Sequence, residues 1–302
     1  MGERYMKGKK GLLIYTMALV LVCSLIVGVK NSRISSDASE MQTSQMNLDV
    51  EHEISIMCQN LRREYTTKDG IGNNTFVRYY RILNQFNNYD SDIYCFQECT
   101  KTWQMLLDFR FSSNDYHKVI FYNNNGLATP VYVKKAKFDM LGSGYYELSD
   151  RSSANNDENR IACWAKLKDK ETGKTLVVYS GHYAFDKKIQ VDSCEKVKEQ
   201  AELANADAYI ACGDFNYSKL TNPNAYDVMT SEGTQDLAET AQKQGITGGT
   251  FHNYGKETIP KRIDFFFGSN NIISNMYTVI NDTYDGKYVS DHYGILTYID
   301  IN

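Results

Sequence analysis

From about residue 50 onward, short apolar runs alternate with longer amphipathic stretches. Runs rich in β-branched and aromatic residues, bounded by polar residues or Gly, occur at Ile54 to Gln59, Ile93 to Gln97, Lys118 to Tyr122, Ile161 to Leu167, Leu176 to Ser180, Ala208 to Cys212, Ile263 to Phe267 and Tyr293 to Ile299. Their length and composition predict strands. Thr75 to Phe86 and Lys187 to Ala204 carry helical spacing instead, and the second places Cys194, Val197, Ala201 and Ala204 on one face. Strands outnumber helices, which predicts an α/β fold of two mixed β-sheets packed face to face with helices outside, in preference to a barrel of strict βα repeats. Only three prolines occur in 302 residues, and no linker-like stretch interrupts the chain after residue 50. Residues 50–302 are therefore expected to form one domain.

The first fifty residues are patterned differently. A basic segment, 1–10, with Arg4, Lys7, Lys9 and Lys10, precedes an uncharged apolar stretch from Gly11 to Val29. Nineteen such residues are long enough to cross a bilayer as a helix, and the excess of basic residues before the span predicts a cytoplasmic N-terminus. Residues 11–29 are thus expected to be a single transmembrane signal-anchor, with a cleavage site near Ala38 as the alternative that would release the protein. Residues 30–49, rich in Ser, Asp, Gln and Met without hydrophobic periodicity, read as a flexible stalk. The large domain is then extracytoplasmic and tethered to the cell membrane.

Charge and cysteine content narrow the possibilities. The formal net charge is −4; residues 1–33 carry six basic side chains and one acid, leaving −9 on the remainder. Such an acidic domain argues against non-specific duplex binding driven by phosphate neutralisation. The composition, 42% hydrophobic and 13% aromatic, supports a large core. Six cysteines follow the apolar span, an even number compatible with disulfides, but Cys58, Cys95, Cys163 and Cys212 lie in strand-like runs where a free thiol behaves as a small buried hydrophobe. Cys95 and Cys99 lack the second pair that a structural zinc site requires.

Several strand-like runs end abruptly in residues suited to phosphoryl chemistry. Cys212-Gly213-Asp214-Phe215-Asn216 closes the run Ala208 to Cys212 with a carboxylate and a carboxamide that can hold a water or a phosphate oxygen together, or merely cap a turn. Ser290-Asp291-His292 leads into the last strand, and a histidine beside an acid can serve as a general base. Asp264 stands alone in the apolar run Ile263 to Phe267, where a buried carboxylate needs a partner; His292 and Arg262 compete for that place. Phe96-Gln97-Glu98 ends another run in an acid, with Thr100 placed to cap a following helix, so Glu98 is either a hard-cation ligand or a helix N-terminal acid. Gly181-His182 and Asn60 end two more. Polar residues gathered at so many strand ends make a rim at which a site can form.

The order Asn60, Gln97-Glu98, Arg160, His182, Gly213-Asp214-Phe215-Asn216, Arg262-Ile263-Asp264 and Ser290-Asp291-His292 resembles the endonuclease/exonuclease/phosphatase superfamily, also called DNase I-like, over residues 50–302. The resemblance implies a four-layer α/β sandwich with a Mg²⁺ or Mn²⁺ site at one edge. By position it implies Glu98 as the principal metal ligand, with Asn60 and Asp291 beside it. It implies Asp214 and Asn216 as the pair holding the attacking water and a phosphate oxygen, His292, oriented by Asp264, as the base or phosphate contact, and His182 as the second histidine. Arg160 then contacts substrate phosphate or supports Glu98. The chain departs from the family where a Thr-His-Leu-Asp-like run is replaced by Ser180-Gly181-His182-Tyr183-Ala184-Phe185. Tyr183, Phe185 and Tyr217 there suggest an aromatic rim for a base, a sugar or a lipid headgroup, or ordinary packing in a tyrosine-rich protein.

The expected activity is divalent-metal-dependent hydrolysis of a phosphoester by in-line water attack, phosphodiesterase- or nuclease-like, on nucleic acid, a phospholipid headgroup or a sugar phosphate. The alternatives are a phospholipid or inositol-phosphate phosphatase or sphingomyelinase-like enzyme, and a non-catalytic surface-binding module. The last predicts loss of residues such as Glu98, Asp214, Asn216, Asp264 or His292, all of which are present. No protein partner is implied. Asn216-Tyr217-Ser218 is also an N-glycosylation sequon, and a glycan there would block the proposed site, which favours a producer that does not glycosylate.

Overall fold

The computed structural model describes residues 53–64, 69–70, 72–149 and 159–302. The expected basic segment, membrane span and stalk lie outside these residues, and among the described residues no helix is long and apolar enough to cross a membrane.

Among the described residues, thirteen strands form two sheets. The first contains β1 (Ile54–Asn60), β2 (Ile93–Gln97), β3 (Tyr116–Val119), β4 (Val131–Lys134), β10 (Lys243–Gln244), β12 (Ile272–Ile280) and β13 (Gly294–Ile301), in the order β10-β12-β13-β1-β2-β4-β3. The second contains β5 (Phe138–Ser149), β6 (Arg160–Asp169), β7 (Thr175–His182), β8 (Ala208–Asp214), β9 (Thr234–Asp236) and β11 (Asp264–Ser269), in the order β5-β6-β7-β8-β11-β9. Both are mixed: β1 runs parallel to β2 and antiparallel to β13, while β8 runs parallel to β7 and antiparallel to β11.

The core is layered because side chains alternate across each strand. Ile56, Cys58, Cys95, Cys163, Val178, Ile210, Cys212 and Phe266 fill the space between the sheets. The outer face of the first sheet is covered by α1 (Thr75–Asn88) and α2 (Lys101–Arg110), through Ile82, Phe86, Trp103 and Leu107. The outer face of the second is covered by α3 (Lys187–Leu203) and α4 (Pro223–Thr230), through Cys194, Val197, Ala225 and Met229. The result is the expected helix–sheet–sheet–helix sandwich. Thr100 does cap the helix after β2, accepting from the Trp103 amide at 3.3 Å, a contact worth about 1 kcal/mol. All six described cysteines are buried free thiols.

Alternation also creates the site. Cys58, Cys212 and Phe266 point into the inter-sheet core, so the residues two positions along toward the same rim, Asn60, Asp214 and Asp264, extend that inner face to the edge of the sandwich. There β7, β8 and β11 share one rung, with His182 opposite Asp214 and Asp214 opposite Asp264. The preceding rung pairs Gly181 with Gly213. A Cβ on Gly213, whose φ is +141°, would sit 1.9 Å from the Gly181 carbonyl oxygen, so this close approach of backbones requires glycine.

Candidate active site

A cleft of about 490 Å³ opens over this rung and is lined by, among others, Glu98, His182, Asp214, Asn216, Asp291 and His292, with Arg62, Arg63, Arg160 and Lys261 supplying positive charge. Its centre is Asp214, only 2% exposed. Asn60 Nδ2 donates to its Oδ2 at 3.0 Å and the Asn216 amide to its Oδ1 at 2.9 Å. The same Oδ2 lies 3.5 Å from His182 Nε2 and 3.7 Å from His292 Nε2. Two histidines therefore flank one carboxylate, His182 from β7 of the same sheet and His292 from the segment before β13 of the other.

The two histidines hold their protons very differently. Burial, reinforced by the Arg160 guanidinium and the neighbouring His292, pushes His182 well below the usual histidine range and keeps it neutral. Arg160 Nη1 lies 3.0 and 2.9 Å from the two ring nitrogens of His182. One atom that close to both cannot lie in the ring plane without overlapping Cε1, so the guanidinium packs against the ring face. Burial also opposes a charge on His292, but Asp264 and then Asp214 outweigh it and hold its pKa up at about 10. His292 Nδ1 donates to Asp264 Oδ2 at 2.8 Å, which resolves the competition for Asp264 in favour of the histidine. Arg262 goes instead to Asp236 at 2.6 Å and Glu239 at 3.2 Å. Burial raises Asp214 to about 7, with His292 opposing the rise and Asp264 adding to it.

These shifts predict an observable outcome. In metal-free protein the His292 ring is expected to stay protonated up to about pH 10, and in Asp264→Asn its midpoint is expected to drop toward the ordinary histidine range, as ¹⁵N NMR of the imidazole would report. A midpoint unchanged by the substitution would remove Asp264 as the cause.

Two carboxylates, Glu98 and Asp291, also line the cleft. Glu98 adopts φ +55°, a left-handed conformation that is strained for a non-glycine residue and is held here by its surroundings. Its Oε2 accepts the Arg63 amide at 2.8 Å. Asp291 Oδ1 accepts from Ser290 at 3.2 Å and its Oδ2 lies 3.5 Å from Arg62 Nε. Two carboxylates in one cleft, with lone pairs beyond these contacts, fit the oxygen preference of Mg²⁺ or Mn²⁺. Asn60 is fully buried; its Oδ1 accepts the Arg62 amide at 2.8 Å and its Nδ2 donates to Asp214 at 3.0 Å, so it orients Asp214. By distance alone Asp214, Asp264 and His292, whose ligand atoms lie within 4.8 Å of one another, could also hold an ion. Asp264 Oδ2 already accepts from both His292 and Thr250, which leaves its buried, unpartnered Oδ1 as the oxygen it could offer there.

A sequence model of the endonuclease/exonuclease/phosphatase family matches residues 60–292, from Asn60 of the site to His292. The chain belongs to that family. Members of the endonuclease/exonuclease/phosphatase family are metal-dependent phosphoester hydrolases, and this chain is an enzyme of that type. A family protein from Bacteroides thetaiotaomicron superposes with a TM-score of 0.75 at 24% identity, covering 83% of this chain and 98% of its own. A mannosyl-6-phosphatase from the same organism gives a TM-score of 0.75 at 24% identity, covering 82% and 100%. D. rerio TDP2, complexed with a single-stranded DNA product, gives 0.64 at 18% identity, covering 83% and 100%. No curated protein matches the chain in sequence.

Two of the three aromatic residues expected at the rim lie elsewhere. Tyr183 and Tyr217 are each 1% exposed and belong to the core beneath α3 and α4. Tyr183 stacks on Phe215 at 4.0 Å, and the Tyr217 hydroxyl donates to the Ala225 carbonyl at 3.3 Å. Neither reaches substrate. Phe185, 58% exposed, does line the cleft, with the Arg160 guanidinium 5.5 Å from its ring centroid. Asn216, at φ +53°, lines the cleft and donates through Nδ2 to the Tyr183 carbonyl at 2.9 Å. Sequence reasoning missed Thr250, fully buried, whose hydroxyl donates to Asp264 Oδ2 at 2.5 Å while accepting the Ile263 and Asp264 amides at 3.1 Å. It also missed Arg62, Arg63, Asn253 and Lys261. All five lie in segments without periodicity, so pattern alone carries no signal for them.

Proposed function

We propose that the protein is a membrane-anchored, extracytoplasmic phosphodiesterase that hydrolyses small or chain-terminal phosphoesters. The observation that carries the activity is a single carboxylate, Asp214, set between a neutral and a protonated histidine. Environments that push apart the proton affinities of like groups divide acid and base roles between them. Asp214, raised to about 7, is the better acceptor for the proton of an attacking water. His292, protonated at neutral pH, cannot accept that proton; it holds a non-bridging phosphoryl oxygen and neutralises charge that builds in the transition state. Of the two roles expected for His292, base or phosphate contact, this reading takes the second and gives the base role to Asp214. His182 supplies a neutral hydrogen bond on the other side, and Arg160 and Lys261 attract the phosphate. A divalent cation held by Glu98 and Asp291, when bound, supplies further charge neutralisation at the phosphoryl group.

A cleft of about 490 Å³ accommodates one phosphoryl group and its immediate substituents, which suits a small molecule or a chain end. The likeness to a mannosyl-6-phosphatase favours a second reading, hydrolysis of a sugar phosphomonoester. Anchoring and outward orientation rest on the basic-flanked apolar run Gly11 to Val29.

The test is to assay purified full-length protein on bis-p-nitrophenyl phosphate, oligonucleotides, mannose 6-phosphate and sphingomyelin, with Mg²⁺, Mn²⁺ or EDTA. Diester cleavage that EDTA abolishes is expected. Cleavage of the monoester alone selects the second reading, and inactivity on every substrate with either metal defeats both. Extraction of the protein from cells by alkaline carbonate would refute the anchor.

A further inference from the structure

Two arginines occupy the buried face of α1, where helical spacing calls for apolar side chains. Arg78 is 0% exposed and Arg81 is 5% exposed. A guanidinium stripped of water needs acceptors, and those of Arg78 are main-chain carbonyls. Its Nη1 donates to Leu61 O, its Nη2 to Arg62 O at 3.0 Å and Arg63 O at 2.8 Å, and its Nε to Asn73 O at 2.9 Å. Trp103 Nε1 adds a second bond to Arg62 O at 2.9 Å, and its ring centroid lies 5.1 Å from the Arg78 guanidinium carbon.

A trans peptide is planar, with its C=O and N–H directed oppositely. Drawing the Leu61 and Arg62 carbonyls toward α1 therefore aims the next two amides, Arg62 N–H and Arg63 N–H, the other way. Those amides meet the site: Arg62 N donates to Asn60 Oδ1 at 2.8 Å and Arg63 N to Glu98 Oε2 at 2.8 Å. The Arg63 side chain contributes less, since its Nε is 3.9 Å from Glu98 and 46% of the side chain is exposed. One turn along the helix, Arg81 Nη1 donates to Tyr288 O at 3.0 Å and Nη2 to Gly72 O at 2.7 Å, tying down the segment that leads into Ser290-Asp291-His292.

We propose that Arg78 is a positioning residue for the metal centre: by capturing the carbonyls of Leu61 to Arg63 it fixes the amides that orient Asn60 and Glu98, and so sets the affinity for the divalent cation. This rests on the reading that Glu98 holds that cation. Orienting contacts behind metal ligands commonly change metal affinity by about 10 to 100-fold, and an effect of that size is expected here.

The experiment is a titration of metal-free full-length protein with Mn²⁺, following free Mn²⁺ by EPR, for the parent, Arg78→Lys and Trp103→Phe. Thermal unfolding and amide NMR spectra of each variant report the fold. Arg78→Lys is expected to raise the Mn²⁺ Kd by about 10 to 100-fold, with kcat at saturating Mn²⁺ recovering toward the parent value. Trp103→Phe, which removes one donor to Arg62 O and keeps an aromatic ring, is expected to move Kd in the same direction by less. If Arg78→Lys does not fold, Trp103→Phe decides. A parent that binds Mn²⁺ while the folded variants bind it equally well overturns the positioning role alone. A parent that binds no Mn²⁺ overturns the metal centre and the role built on it.

Discussion

Asn in place of Asp214 is expected to lower kcat/KM by about 10²–10⁴-fold on whichever phosphoester the parent cleaves, the usual worth of a positioned acid or base. The amide is nearly isosteric but cannot take a proton from water. Its NH₂ must also face a donor, either the Asn60 amide or the Asn216 N–H, which now bond to Oδ2 and Oδ1. One hydrogen bond is lost whichever way the amide turns, a cost of about 1–3 kcal/mol. Against this, the substitution removes one of the negative charges that Asp214 shares with Asp264 and Glu98. The thermal midpoint is therefore expected to move modestly while activity collapses. Measuring both on one preparation separates the roles, and full activity in a folded Asp214→Asn protein would end the proposed mechanism.

Glu98→Gln is expected to weaken Mn²⁺ binding by at least about 10²-fold, the upper range for contacts behind a ligand taken as a floor for the ligand itself. The comparison that gives this force is Asp264→Asn. If the cation sits at Glu98 and Asp291, Asp264→Asn leaves the Mn²⁺ Kd nearly unchanged while activity falls, because Asp264 serves His292 through a 2.8 Å hydrogen bond. If the ion sits instead among Asp214, Asp264 and His292, whose ligand atoms lie within 4.8 Å, the order reverses. Isothermal titration with Mn²⁺ on the two variants decides between them.

Much of the sandwich was readable where a buried strand is an unbroken apolar run. Ile93 to Gln97 was placed residue for residue, and Ala208 to Cys212 lacked only Gly213 and Asp214, the residues that turn strand into site. Where a strand has one solvated face the signal fails. β5 alternates exposed and half-buried positions along most of its length and carries Gly142 and Gly144, so it presents no apolar run. The run Lys118 to Tyr122 overshoots its strand: pairing with β4 spans Tyr116 to Val119, and the apolar Ile120 and Phe121 lie beyond it.

At the site, the rule that polar residues end apolar runs points to Asn60, Glu98, His182 and Asp214, and the need of a buried carboxylate for a partner points to Asp264. That rule identifies placement and says nothing about facing. Asn60 is fully buried and bonded to Asp214, and Tyr183 and Tyr217 pack in the core. Arg78 and Arg81 had a signal in principle, as charged residues on the apolar face of a predicted helix. Thr250 had none, because its role exists only once Asp264 arrives beside it from fourteen residues away.

The distribution of cysteines gives this protein an internal stopwatch. Cys58, Cys95, Cys163 and Cys212 lie between the sheets, Cys99 lies beneath α1 and α2, and Cys194 lies beneath α3 and α4. Each is at most 1% exposed, so a thiol reagent can modify one only when its own layer parts. Alkylation timed under native conditions and read cysteine by cysteine would then show whether the three layers breathe together or peel away in sequence.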